Sequence, residues 1–322
     1  LPIRYTASPG RPEIIRLPGG PVGAKIHQNH HGASPMRNDY QHITVTPIAG
    51  ALGAEIGNVD LAADNPQGVY DEIHRALLEN LVIFFRDQDI TPEQQLAFAK
   101  RWGDLHQHPF MKGMDDYPDI LEIKKLPTDK RNFGGSWHSD QMFAPKPAMG
   151  TILYAKETPT HGGDTMFANM YLAYDALSDG MKAMIGKMKA VSSGDNFKSA
   201  GGKSRKETAG DHSAMTVRDP APTEKTINAH PVARTHPETG KKALYAGGHW
   251  RYFENMTEAE SEPLMEMLRE HSTRPEFTCR FRWEPGSIAF WDNRCTQHFA
   301  IDDYHGQTRT MHRITVCGDE PF

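Results

Sequence analysis

The spacing of apolar residues changes period several times along the chain, and each change predicts an element. Residues 1–39 keep no sustained period of 2 or 3.6. Pro, Gly, His and Asn recur there, as in Ser8-Pro9-Gly10-Arg11-Pro12 and Pro18-Gly19-Gly20-Pro21, so the stretch reads as an extended arm or loop. From Tyr40, the alternation Ile43-Thr44-Val45-Thr46 predicts a strand. Val69, Ile73, Ala76 and Leu77 then recur at helical spacing ahead of an apolar run, Leu81-Val82-Ile83-Phe84-Phe85, of strand length. Thr91-Pro92-Glu93-Gln94 combines an N-cap, a Pro at the first helical position and a capping-box acceptor; Leu96, Phe98 and Ala99 form the apolar face, and Gly103 closes the helix. Thr257 with Glu260 repeats the capping box ahead of Leu264, Met267 and Leu268 and predicts a second helix to about His271. Strands are predicted over 148–155, 277–283, 287–291 and 310–316, with Glu284-Pro285-Gly286 as a tight turn. No internal repeat and no linker interrupts Tyr40 to Phe322, so residues 40–322 read as one mainly β domain with peripheral helices.

Composition narrows the function classes. The chain has 322 residues, of which 38% are hydrophobic and 24% charged, as expected for a folded globular protein. Its 36 Lys plus Arg against 41 Asp plus Glu leave a net charge of −5, which argues against a broad nucleic-acid footprint. The longest apolar runs are too short to span a bilayer, and no secretory signal is recognised at the N-terminus, which begins at Leu1. Three cysteines without a CxxC suggest neither a disulfide framework nor a zinc knuckle, and a reducing cytoplasm is the expected compartment. GxGxxG after a strand, GxxxxGK[S/T], HExxH and GxSxG are all missing. The unusual count is 17 histidines, which directs attention to metal ligands. His27, His30 and His31 lie in the N-terminal arm with no rigid element to hold them, and read as solvated.

Trp137-His138-Ser139-Asp140 carries the chemical hypothesis. On a strand, residues i and i+2 project to one face, so His138 and Asp140 can offer ligand atoms to one metal. Taken alone, His-x-Asp is more often a half-buried histidine beside a surface aspartate. A second imidazole would complete a two-histidine, one-carboxylate facial triad with open coordination positions, and His298 is the candidate. Arg309 and Arg313 lie four apart on a predicted strand. Two guanidinium groups on one buried face are costly unless they meet anions; the competing reading is that they answer Asp302, Asp303 or Asp319.

His138-x-Asp140, Thr165 within Gly162-Gly163-Asp164-Thr165, the run Trp291-Asp292-Asn293-Arg294 to Gln297-His298, and Met311-His312-Arg313 with Gly318-Asp319 together resemble the taurine dioxygenase family, from about Ile43 to Phe322. The resemblance implies a double-stranded β-helix, or jelly roll. It implies an iron(II)- and 2-oxoglutarate-dependent dioxygenase that consumes O2, with His138, Asp140 and His298 as iron ligands. It further implies that Thr165 and Arg309 bind the distal carboxylate of 2-oxoglutarate and that Arg313 lies near the metal, touching both the cosubstrate and the anionic head of the substrate. His108 and the backbone N–H of Gln141 would hold that anion, with Trp250 in the pocket wall. His106 reads as structural. A homo-oligomer, dimer or tetramer, is expected from the same resemblance.

The chain departs from the taurine-using members in its pocket. Met111 and Gly134 stand where those have a Tyr and an Asn, and Ala200 where they have a Phe, so polar contacts to a small amine-bearing substrate are absent. A larger or less polar small anion, foremost an organosulfonate and otherwise an alkyl sulfate ester or an aryloxy or other carboxylate, fits the altered lining better. The implied reaction hydroxylates the carbon next to the heteroatom, with succinate and CO2 as co-products. Two rival readings are a zinc hydrolase in the same three-ligand site and a noncatalytic jelly-roll protein that holds an organic anion on its arginines.

Overall fold

Successive residues of the most apolar strands face two different cores, and this sets the architecture. Val82, Phe84, Leu153, Ala155, Ala289 and Trp291 contribute to one core, whereas Ile83, Phe85, Ile152, Tyr154, Ile288 and Phe290 contribute to the other. Strict period 2 with both phases apolar is the pattern of a sheet covered on both faces. The computed structural model describes residues 39–130, 132–194 and 214–322. The N-terminal arm, including His27, His30 and His31, and Ala200 lie outside them.

The described chain begins with β1 (Thr44–Pro47), β2 (Ala54–Gly57), α1 (Gln67–Asn80), β3 (Val82–Phe85), α2 (Pro92–Lys100) and β4 (Leu121–Lys125). It continues through β5 (Gly150–Glu157), β6 (Thr165–Asn169), α3 (Met170–Asp175), α4 (Asp179–Ile185), β7 (Lys189–Ser193), β8 (Ile227–Pro231), β9 (Ala233–Thr235) and β10 (Lys242–Leu244). It ends with β11 (Trp250–Phe253), α5 (Glu258–Ser272), β12 (Thr278–Phe281), β13 (Ile288–Asp292), β14 (Thr296–Ala300) and β15 (Arg309–Val316). The large sheet has the order β1-β2-β3-β13-β5-β15-β4, and a smaller one the order β12-β6-β14. Apart from β2 with β3, neighbouring strands in these sheets are antiparallel. The two sheets share the first core, and their opposition is the expected jelly roll. Phe84 of the large sheet stacks on Phe281 of the small one, ring centroids 3.9 Å apart, with Phe167 edge-on at 5.7 Å. The second core is closed by α1 and α2 through Ile73, Leu77 and Phe98.

Both predicted capping boxes form: the Thr91 and Thr257 hydroxyls accept from the N–H groups of Gln94 and Glu260, whose side chains accept in return. α3 and α4 have no counterpart in the sequence reading. They are six and seven residues long, too short to establish a period, and begin at caps: Asn169 Oδ1 accepts from Tyr171 and Leu172 N–H, and Ser178 Oγ from Met181 N–H. β7 (KAVSS) and β8 (INAHP) also have no counterpart in the sequence reading: β7 does not alternate in polarity, and β8 alternates over only five residues and ends on a Pro.

Phe84 is fully buried between the sheets. Phe84→Ala is expected to destabilise the protein by about 3–5 kcal/mol, read as a lower denaturant midpoint with unchanged slope.

Candidate metal centre

Two backbone hydrogen bonds bring the predicted ligands together. His138 N donates to His298 O (3.1 Å) and His298 N to His138 O (2.9 Å), an isolated antiparallel bridge between a loop and β14. Residues paired this way carry side chains on the same face, and the two imidazole centroids are 4.2 Å apart. Asp140 Oδ1 lies 3.7 Å from His138 Nε2 and 3.8 Å from His298 Nε2. The sequence reading put His138 and Asp140 on a strand, and this is corrected: beyond the single bridge the segment is loop, Asp140 opens a turn, and Gln141 takes φ 52°. Gly134 gives the loop a left-handed turn, φ 82°, that residues with a side chain rarely adopt.

The donor chemistry suits a divalent cation. His138 Nδ1 is 2.6 Å from Ser136 O, so Nδ1 carries a proton there and Nε2 is the ring nitrogen that faces Asp140. Burial, reinforced by His138, pushes the His298 pKa well below its ordinary value, so that ring is neutral. Burial alone would raise the Asp140 carboxyl, but the Arg313 guanidinium beside it and the Thr151 hydroxyl hold it well below the usual carboxylate range. Two metal bonds of about 2.0–2.2 Å each span the separations between these atoms.

Behind the triad lies a cavity lined by Thr165, Arg309 and Arg313 together with His138, His298 and Trp291. Arg309 is buried, with Nε and Nη2 lacking hydrogen-bond partners. Burial lowers its pKa, opposed by Tyr304 and Asp164. Arg313 Nη2 comes within 2.8 Å of Asp140 Oδ1 without hydrogen-bond alignment, and its Nε is also unpartnered. The Trp283 indole donates to Thr165 Oγ1 at 2.9 Å, which directs the threonine's own proton elsewhere. The competing partners for the arginines are engaged: Asp302 pairs with Lys125, Asp303 accepts from Gly163 N–H, and Asp319 pairs with Arg234. Arg313 is thus ion-paired with Asp140, while Arg309 Nε and Nη2 and Arg313 Nε remain buried donors without partners at the cavity, as a receptor for an anion requires.

His108 Nδ1 accepts from Phe110 N–H at 3.2 Å, which leaves the ring proton on Nε2, and the ring packs 6.0 Å from Phe133 of the cavity wall. The Gln141 side chain is buried with neither amide atom partnered. Trp250 is not brought to the triad; it sits in the first core against Phe253, and the neighbouring His249 lies 6.2 Å from His138 and 5.1 Å from Phe143. Sequence reasoning missed His249, Trp283 and Thr151, whose roles depend on contacts that only the folded chain brings together; Asn293 was visible only as part of a motif.

A second group, His236, Asp292 and Cys295, is equally compact. Its hydrogen bonds are already satisfied. His236 Nδ1 accepts from Glu238 and Thr239 N–H while Nε2 donates to Asp292 at 2.9 Å, and Arg294 grips both oxygens of Asp292. A cation there would displace a proton and face a guanidinium, so this group is an ion-pair network.

Among the described residues no helix is long and apolar enough to cross a membrane. Residues 44–315 match the family described as Taurine catabolism dioxygenase TauD, TfdA family. The chain is 35% identical over 290 residues to an alpha-ketoglutarate-dependent sulfate ester dioxygenase of Pseudomonas putida, covering 87% of this chain and 91% of the relative. A solved taurine dioxygenase from Burkholderia xenovorans superposes with a TM-score of 0.73 at 33% identity, covering 87% and 91% of the two chains. AAD-2, solved with Mn(II) and N-oxalylglycine, gives 0.69 at 30% identity over 87% and 99%. The geometry and these likenesses agree: the chain belongs to the TauD/TfdA family and is an alpha-ketoglutarate-dependent dioxygenase.

Proposed function

We propose that residues 40–322 form one catalytic domain that hydroxylates the carbon next to the heteroatom of a small organic sulfur oxyanion with an apolar body, a sulfate ester or a sulfonate. The observation that carries the reading is buried Arg309 and Arg313, with unpartnered N–H groups on Arg309 Nε and Nη2 and on Arg313 Nε, beside two imidazoles and one ionised carboxylate. His138, Asp140 and His298 would hold Fe(II). Thr165 and Arg309 would seat the distal carboxylate of 2-oxoglutarate by a hydroxyl donor and a guanidinium fork. Bound there with O2, Fe(II) and 2-oxoglutarate supply the oxidant that turns C–H into C–OH, one oxygen atom entering the substrate and the other succinate, with loss of CO2.

Every other task falls to the chain's own residues. Arg313, the His108 Nε2 proton and the Gln141 N–H place the oxyanion beside the triad, which sets which carbon is within reach. Phe133 and Ile123 line the cavity and also pack on the cluster of Met111, Leu121 and Met215, an apolar wall suited to a hydrocarbon or aryl body and able to exclude water. The hydroxylated product, with oxygen and a leaving group on one carbon, collapses to an aldehyde plus sulfate from an ester or sulfite from a sulfonate. The relative named for sulfate esters supports the ester as the first compound to try.

With Fe(II), 2-oxoglutarate and air, alkyl sulfates or alkanesulfonates should release succinate and sulfate or sulfite in equal amounts. Turnover without oxygen, or succinate release stimulated only by aryloxy carboxylates, would contradict the proposal. Arg309→Ala should weaken 2-oxoglutarate binding to Mn(II)-loaded protein by about 3 kcal/mol, roughly 100-fold, in anaerobic calorimetry, while leaving Mn(II) affinity in place.

A further inference from the structure

Asn293 is uncharged and fully buried, and it hydrogen-bonds Ser139, Asp140 and residues on two strands of the large sheet. Its Oδ1 accepts the Asp140 backbone N–H (3.2 Å) and the Trp291 indole N–H (3.0 Å). Its Nδ2 donates to Thr151 Oγ1 (2.9 Å), and its carbonyl oxygen accepts from Ser139 Oγ (2.6 Å). Thr151 in turn donates to Asp140 Oδ2 at 2.7 Å. The ring of Trp291 lies 4.6 Å from that of His298.

We infer that Asn293 and Thr151 are positioning residues that preset the Asp140 rotamer, so that Oδ1 alone faces the two imidazoles and the carboxylate meets a metal through one oxygen. The inference rests on the metal-centre reading given above. Polarity makes the chain of hydrogen bonds one-directional. A hydroxyl has a single proton; with Asn293 Nδ2 donating to Thr151 Oγ1, that proton goes to Asp140. The amide cannot flip, because its NH2 would then confront the two N–H groups that Oδ1 now accepts. Sheet pairing fixes the register of the parts, since Thr151 on β5 stands opposite Trp291 on β13. A carboxylate released from Thr151 could turn both oxygens toward the ion and occupy a position the cosubstrate needs.

Co(II) titration of the full-length protein tests this without turnover. Thr151→Val and Thr151→Ala should each lose about 10–100-fold in Co(II) affinity, and Thr151→Ser should stay within about threefold of wild type. The ligand-field bands of the Co(II)-saturated Val and Ala variants should also differ from wild type. Affinities within about threefold and unchanged bands, with only the melting temperature lowered, would overturn the inference by showing a merely structural role. Wild-type protein that takes up no Co(II), or a His298→Ala variant that keeps wild-type affinity, would overturn the metal-centre reading itself, and this inference with it.

Discussion

One antiparallel backbone bridge, between His138 in a loop and His298 on β14, holds the centre together. Each residue supplies an N–H and a C=O to the other, so the two imidazoles share one face at a spacing that side-chain rotation can only trim. Asp140 then needs to be brought into line two residues further on. A turn does this, with Gln141 in the left-handed region directly after it. Fixing three ligands from loop and strand demands rigidity on the strand side, and β14 has it, paired along its length with β6 in the small sheet.

Electrostatic frustration marks the same place. Arg309 Nε and Nη2 and Arg313 Nε are buried with no acceptor, His298 Nδ1 is buried without a partner, and both amide atoms of Gln141 are unpaired, although Arg313 Nη2 itself meets Asp140. Each such group opposes folding by the desolvation it suffers, so the two well-packed cores must supply the compensating stability. The contrast with His236, Asp292 and Arg294 is instructive: there the charges are as deeply buried, yet every strong donor meets an acceptor, and the group is structural. Unsatisfied polarity, more than the presence of histidine and carboxylate, separates a ligand site from an ion-pair network.

Much of the fold was legible because it rests on local rules. The capping boxes at Thr91 and Thr257 and the apolar run at 82–85 each carry their own signal. The site was legible differently. His138, Asp140 and His298 came from a motif, and the strand geometry first assumed for the pair is absent. Trp250, expected in the pocket wall, packs in the first core, whereas His249, in the turn that leads into β11, lies 6.2 Å from the His138 ring. Thr151 on β5 and Trp283 in the loop after β12 reach Asp140 and Thr165 only through the folded structure, and nothing in their local context distinguishes them from ordinary core positions.

The central claim is that two distant histidines and one aspartate converge on a single redox-active ion, with a basic wall behind it that seats a dicarboxylic acid. Anaerobic titration of the protein with Fe(II) and then 2-oxoglutarate tests it most directly. The account predicts a weak visible absorption band from the iron(II)–2-oxoglutarate chelate, saturating at one equivalent per chain and lost in His298→Ala. Absence of that band in the wild-type protein, or its persistence without His298, would contradict it.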